Sequence, residues 1–172
     1  MAKAIAANYL SWACAEAGGF EDALAAAERG LAALQGKNVW FEIILLARLA
    51  EARAGTGDIH GACDTAREAF ALYHRFPEIR HSGVLAAYKI AAVLLRAEGV
   101  SAEAVEAVEL AERLTRDTGF RALEPEALRV RAELERLRGD EAARQRALQE
   151  AHRILIEIGA LSRAACVAGE IA

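Results

Sequence analysis

Apolar side chains return along this chain every three to four residues, and glycine cuts the runs they form at regular intervals. From Lys3 to Ala17, Ile5, Tyr9 and Trp12, with Leu10 and Cys14, spread over adjoining faces of one helix that Gly18-Gly19 ends. Phe20 opens a second helix reaching about Gln35, with Ala23, Ala27, Gly30 and Leu31 on one face. Gly36-Lys37-Asn38 is the next break, and Asn38 is a good N-cap. The helix predicted from Val39 to Ala54 is apolar almost all round in its first turns, so it needs cover on several sides. Its later polar residues, Arg48 and Glu51, share a face.

The breaker cluster at Gly55–Asp58 leads into a helix to about Arg75, with the stripe Ala62, Ala66, Ala69, Phe70 and Tyr73. Pro77 ends it, and residues 76–83 read as the longest irregular piece. Gly83 to Glu98 is again nearly all apolar, broken by Lys89 and Arg96 on one stripe. After Gly99, Ser101 is the expected N-cap and Glu103 sits where the helix dipole favours it. That helix reaches about Thr118. Pro125 then suits the first turn of a far more charged helix to Arg138. Gly139-Asp140 is a further corner, followed by a helix to about Ile158, Gly159, and a short helix from Leu161.

The corner glycines Gly18, Gly57, Gly99 and Gly139 are spaced by 39, 42 and 40 residues. Two helices in a period near forty indicate an α-solenoid, in which each pair covers its apolar faces by stacking on the next. Small residues recur where two helices would cross: Ala23, Ala62 and Ala104 each stand five residues after a corner glycine. Ala27, Gly30, Ala66, Ala69, Ala111 and Ala151 follow on the same helices.

On these residues the chain resembles the tetratricopeptide repeat family in its longer, roughly forty-residue form. The second unit carries the likeness best, through Leu46, Leu49-Ala50, Gly57-Asp58, Ala62, Ala66 and Ala69-Phe70. Unit one supplies Leu10-Ser11, Gly18, Phe20 and Ala23; unit three supplies Tyr88, Ala91-Ala92, Gly99 and Ala104. Unit four departs, with Arg144 where a small residue belongs and Glu135 where the family prefers an aromatic, so it either splays or serves as a modified cap. The expected fold is all-α: a right-handed superhelix of four helix pairs plus a C-terminal helix, in one domain over 1–172. The units fall at about 3–36, 38–76, 83–118 and 124–158, with the terminal helix at 161–171. The tail from Glu150 to Ala160 and the helix after it more weakly resemble the end of the helical-repeat region in large bacterial signalling ATPases, transcription activators and cyclase-linked regulators.

The resemblance implies a concave groove lined by the first helix of each pair. Carried over by position, it puts Asn8, Trp12, Arg48, Glu51, Lys89, Arg96, Arg129 and Glu133 on the groove wall. One reading makes that wall a site for a peptide or partner helix, Trp12 giving apolar area and the arginines grasping carboxylates. The other makes it a solvated face. The family's clamp for acidic C-terminal tails is not expected, because Trp12, Ala86 and Ile90 occupy places where it needs polar residues. The function expected is a non-catalytic protein-interaction or scaffold module. The alternative is a ligand-sensing domain of a larger bacterial regulator, favoured if a deep, partly apolar pocket lies beside Trp12 and Arg48.

Composition narrows this little further. Of the 172 residues 55% are hydrophobic but only 6% aromatic, which suits close-packed helices and argues against an all-β fold. A net charge of −4 lacks the basic excess of a nucleic-acid binder. Three scattered cysteines, Cys14, Cys63 and Cys166, fit a reducing compartment, and no apolar run reaches the ~18 residues of a membrane span. Cytoplasmic location is expected; the faint leader-like Lys3–Ala7 run is cut by Asn8. His60, Cys63 and Asp64 offer too few ligands for a metal site, and His74, His81 and His152 read as surface histidines. Without a phosphate loop or nucleophile elbow, neither catalysis nor a cofactor is expected. Ile5, Tyr9 and Trp12 lack a preceding repeat to cover them, which points to an upstream domain or a homodimer through the first helix.

Overall fold

The computed structural model describes residues 1–171, and among these every regular element is helical. In chain order they are α1 (Ala2–Glu16), α2 (Phe20–Leu34), α3 (Val39–Thr56), α4 (Ile59–Arg75), α5 (Arg80–Glu98), α6 (Ala102–Thr118), α7 (Glu124–Arg138), α8 (Glu141–Glu157) and α9 (Leu161–Ile171), with a single 3₁₀ turn at Arg121–Leu123 before α7. The loop after Pro77 is shorter than its sequence suggests, because α5 starts at Arg80. Ser82 Oγ there donates to the Ile79 carbonyl at 3.2 Å and supports the first turn.

The helix starts follow from capping chemistry. Asn38, Asp58, Ser101 and Asp140 each accept a hydrogen bond from a backbone N–H three residues on, at 2.9–3.1 Å. Each such cap contributes about 1 kcal/mol. At the other ends, Gly57, Gly119 and Gly139 take the left-handed backbone that returns the chain toward the next helix.

Consecutive helices pack as α1/α2, α3/α4, α5/α6 and α7/α8, and the first members touch in succession, α1 on α3, α3 on α5, α5 on α7. The alanines at the expected crossings are fully enclosed: Ala23, Ala27, Ala62, Ala66, Ala69, Ala104 and Ala151 are 0% exposed. A main core runs from α3 to α7 through Phe70, Ile90, Leu94, Val108, Leu114 and Leu134. A second joins α7, α8 and α9 through Leu148, Leu155, Ala164 and Val167. Arg67 on α4 binds Glu103 (2.8 Å) and Glu98, and Arg131 on α7 grips Glu112 on α6 with two bonds, so ion pairs stitch neighbouring pairs.

Arg144, which breaks the small-residue pattern, has a use of its own. It is half-buried, and its guanidinium donates to the Glu170 carbonyl at 2.6 Å while Gln145 donates to the Ile171 carbonyl at 3.1 Å. These carbonyls end α9 and lack helical partners, so α8 satisfies them and holds α9 in place. The fourth pair is therefore intact and adapted to a terminal helix.

Gly30 shows how tight the crossings are: a Cβ there would lie 2.8 Å from Leu45 Cδ2 and 3.0 Å from the Ala7 Cβ, whereas one at Gly169 meets nothing. Gly30→Val is expected to lower stability by about 2 kcal/mol through overpacking. Gly169→Ala, free of contacts, should gain up to ~1 kcal/mol from helix propensity. Urea unfolding of both variants checks the contrast; equal effects would show that the crossing is loose.

Candidate functional site

Helical spacing places one stripe of each odd-numbered helix on a common side. On α1 it is Asn8, Trp12 and Glu16; on α3 it includes Ile44, Arg48 and Glu51; on α5 it is Leu85, Tyr88, Lys89, Ala92 and Arg96. On α7, Glu126, Arg129, Glu133 and Arg136 continue it. Together with residues of α8 and α9 these stripes line one half-open cavity of about 970 Å³. All eight residues that the sequence assigns to a groove wall line this cavity. Ala86 and Ile90 do not, being turned into the core at 1% exposure each, so the register of α5 brings Tyr88 and Lys89 inward instead.

The eight fall into two levels. Trp12, Arg96, Arg129 and Glu133 stand at the accessible level, Trp12 being 45% exposed. Asn8, Arg48 and Lys89 form a buried floor at 9%, 6% and 5% exposure, with Glu51 half-buried beside them. Charges on a solvated face would stay in water, so Arg48 and Lys89 do not belong to one.

Glu51 is shared. Lys89 Nζ donates to its Oε1, and Arg48 Nη1 lies 3.5 Å from its Oε2. Arg48 also lies over the Trp12 ring at 5.7 Å, and the Lys89 ammonium lies 5.3 Å from the Tyr88 ring centre. Trp12 is itself held by donating to Glu16 Oε1 at 3.1 Å. Burial pushes the Lys89 ammonium below its ordinary pKa; Glu51 opposes that shift and Arg48 adds to it. Burial likewise raises the Tyr88 phenol, which stays protonated.

Several atoms of these groups make no hydrogen bond, although Arg48 Nη1 and Glu51 Oε2 face each other as an ion pair. Asn8 Oδ1, Arg48 Nε and Nη1, Glu51 Oε2 and Arg129 Nε are enclosed and make no hydrogen bond among the described residues. Leaving such atoms unpaired costs about 1–3 kcal/mol each, so their gathering at one site needs a reason. The lining as a whole carries seven arginines and lysines against five glutamates, in a chain of net charge −4.

The sequence pattern did not single out the aromatic and apolar wall. Trp40 and Phe41, packed edge to face at 4.5 Å, line the cavity together with Phe20, Tyr88 and Phe120. Their signal was present, because the start of α3 is apolar all round and yet Trp40 and Phe41 stay half-buried. At the other end Arg163 on α9 pairs with Glu126, and Arg129 bonds Glu170 at 2.6 Å, so α9 helps shape the cavity. Cys63 lies buried in the core and His60 is exposed, outside the cavity. His74 and His81 are exposed, while His152 is half-buried. No helix among the described residues is long and apolar enough to cross a membrane.

Two buried cations sharing one carboxylate make the floor a cost to folded-state stability. Arg48→Met, which removes the unpaired donors and leaves Lys89 with Glu51, is expected to raise stability by about 1–2 kcal/mol. Glu51→Gln, which strips both cations of their counter-charge, should lower it by about 2 kcal/mol. Urea denaturation at neutral pH measures both; an Arg48→Met chain less stable than the parent would show that the guanidinium is a structural tie.

Among known proteins, no family model and no curated protein matches this chain.

Proposed function

We propose that this chain is a non-catalytic binding module, built as a tetratricopeptide-like right-handed superhelix, that takes up a small ligand in the cavity of its odd-numbered helices. The superhelical reading draws on the near-forty-residue period and on the succession of contacts from α1 through α3 and α5 to α7. One observation carries the functional reading: a buried polar floor with unpaired donors lies under apolar and aromatic walls, beside Trp12 and Arg48. Pockets of this volume and make-up, mainly apolar with a few placed polar groups, are the usual form of small-molecule sites. The ligand would bias the packing of α1, α3, α5 and α7 against one another, which suits a sensing domain of a larger regulator. Docking of a peptide or partner helix is the second reading, favoured by the reach of the lining over four successive first helices.

Ala92 is an exposed residue of the cavity lining, so a large side chain there fills the space without disturbing the core. N-phenyl-1-naphthylamine, an uncharged apolar probe, is expected to bind the parent chain with a gain in fluorescence. Ala92→Trp should weaken that binding by about tenfold or more while leaving the melting temperature unchanged. Equal binding by both chains would remove the cavity from consideration.

A further inference from the structure

Resting on the cavity as the binding site, we propose that its ligand is a small organic acid: an apolar, flat body carrying one oxyanion, with the oxyanion held by Arg48. Three observations converge on that chemistry. Arg48 is 6% exposed and lines the cavity, yet its guanidinium makes no hydrogen bond among the described residues, its one ion-pair contact being Glu51 Oε2 at 3.5 Å. Its guanidinium lies against the Trp12 ring, 5.7 Å from the ring centre, which places a cation beside aromatic surface. Guanidinium presents paired N–H groups that match the geometry of an oxyanion.

Charge gives the second argument. On the floor one carboxylate, Glu51, answers both Arg48 and Lys89, which leaves one positive charge over. Glu16 is exposed and engaged with Trp12, so water screens most of its effect. A neutral ligand would leave the surplus buried and the Arg48 donors unmet, and a cation would increase the surplus. One added negative charge neutralises the floor and supplies the missing acceptors.

The walls give the third. Trp12, Trp40, Phe41 and Tyr88 bound the space above the floor with aromatic surface, which rewards a flat apolar body and offers nothing to a bare inorganic anion. At the mouth Arg96 is exposed and has no carboxylate partner among the described residues, so it adds a positive field along the entry.

Two probes with one ring system isolate the charge: 8-anilinonaphthalene-1-sulfonate and N-phenyl-1-naphthylamine, which lacks the sulfonate. The full chain is expected to bind the sulfonate about tenfold or more tightly, as a charge-assisted hydrogen bond in a buried site provides. In Arg48→Met that preference should shrink to about twofold while affinity for the amine is kept. Arg96→Gln, at the exposed mouth, should weaken the sulfonate by only about threefold. 1-Naphthoate should displace the sulfonate probe, and inorganic phosphate at matched ionic strength should not. Equal binding of the two probes by the parent, or a preference retained in an Arg48→Met chain with an intact melting transition, overturns the oxyanion assignment and leaves the cavity standing. Displacement by phosphate as readily as by 1-naphthoate overturns the organic acid. Failure of both probes to bind the parent removes the cavity reading, and the acid with it.

Discussion

Two helices can approach only as near as the side chains between them allow, and this fold depends on keeping those side chains small. Alanines at 0% exposure occupy the crossings of the first three pairs, at Ala23, Ala62 and Ala104 and one or two turns beyond. The tight fit around Gly30 shows how little room is left. Close packing on that side lets the larger residues of α3 and α5, such as Ile43, Leu46, Ile90 and Leu94, fill the space between neighbouring pairs. The fourth pair follows another rule: Arg144 is too large for a close crossing, and its charge is spent on the end of α9.

What this packing leaves unfilled is the site. The stripes of α1, α3, α5 and α7 that face away from the crossings are not covered by another layer, and they enclose a cavity. Its floor is electrostatically incomplete. A protein that placed Arg48 and Lys89 there for stability alone would be expected to pair each with its own carboxylate, since shared and unpaired buried charge weakens the folded state. Buried charge gathered beside a cavity is the arrangement on which the proposed binding role rests. The ion pairs outside the cavity are shallower: Arg153 with Glu150 and Glu157, and Arg131 with Glu112 and Glu135, are exposed or half-buried.

The chain was readable where a local rule decides the outcome. Capping by Asn38, Asp58, Ser101 and Asp140, termination at the corner glycines and the alanine stripes all concern residues within a turn or two of each other, and the helices begin and end close to the expected places. The loop after Pro77 read as longer than it is, because a proline signals where a helix stops but not where the next one starts. The eight wall residues could be listed in advance because the repeat resemblance assigns the groove to the first helix of each pair, and all eight line the cavity. Ala86 and Ile90 were out of register with that lining, a difference of one position that turns a side chain through about 100°.

By itself, then, the sequence determined the helices, their order, their pairing and the face each presents, since propensity, capping and a 3.6-residue period act over short distances. Only the tertiary structure decided depth. Arg48 and Arg96 look alike along the chain, each an arginine in a largely apolar helix, yet Arg48 lies beside Trp12 in the cavity floor and Arg96 stands at the mouth. Whether a charge is solvated or buried depends on which other helices reach over it, and those come from Asn8 on α1 to Glu170 on α9, across the length of the chain. Contacts at that separation leave no periodic trace in a single sequence.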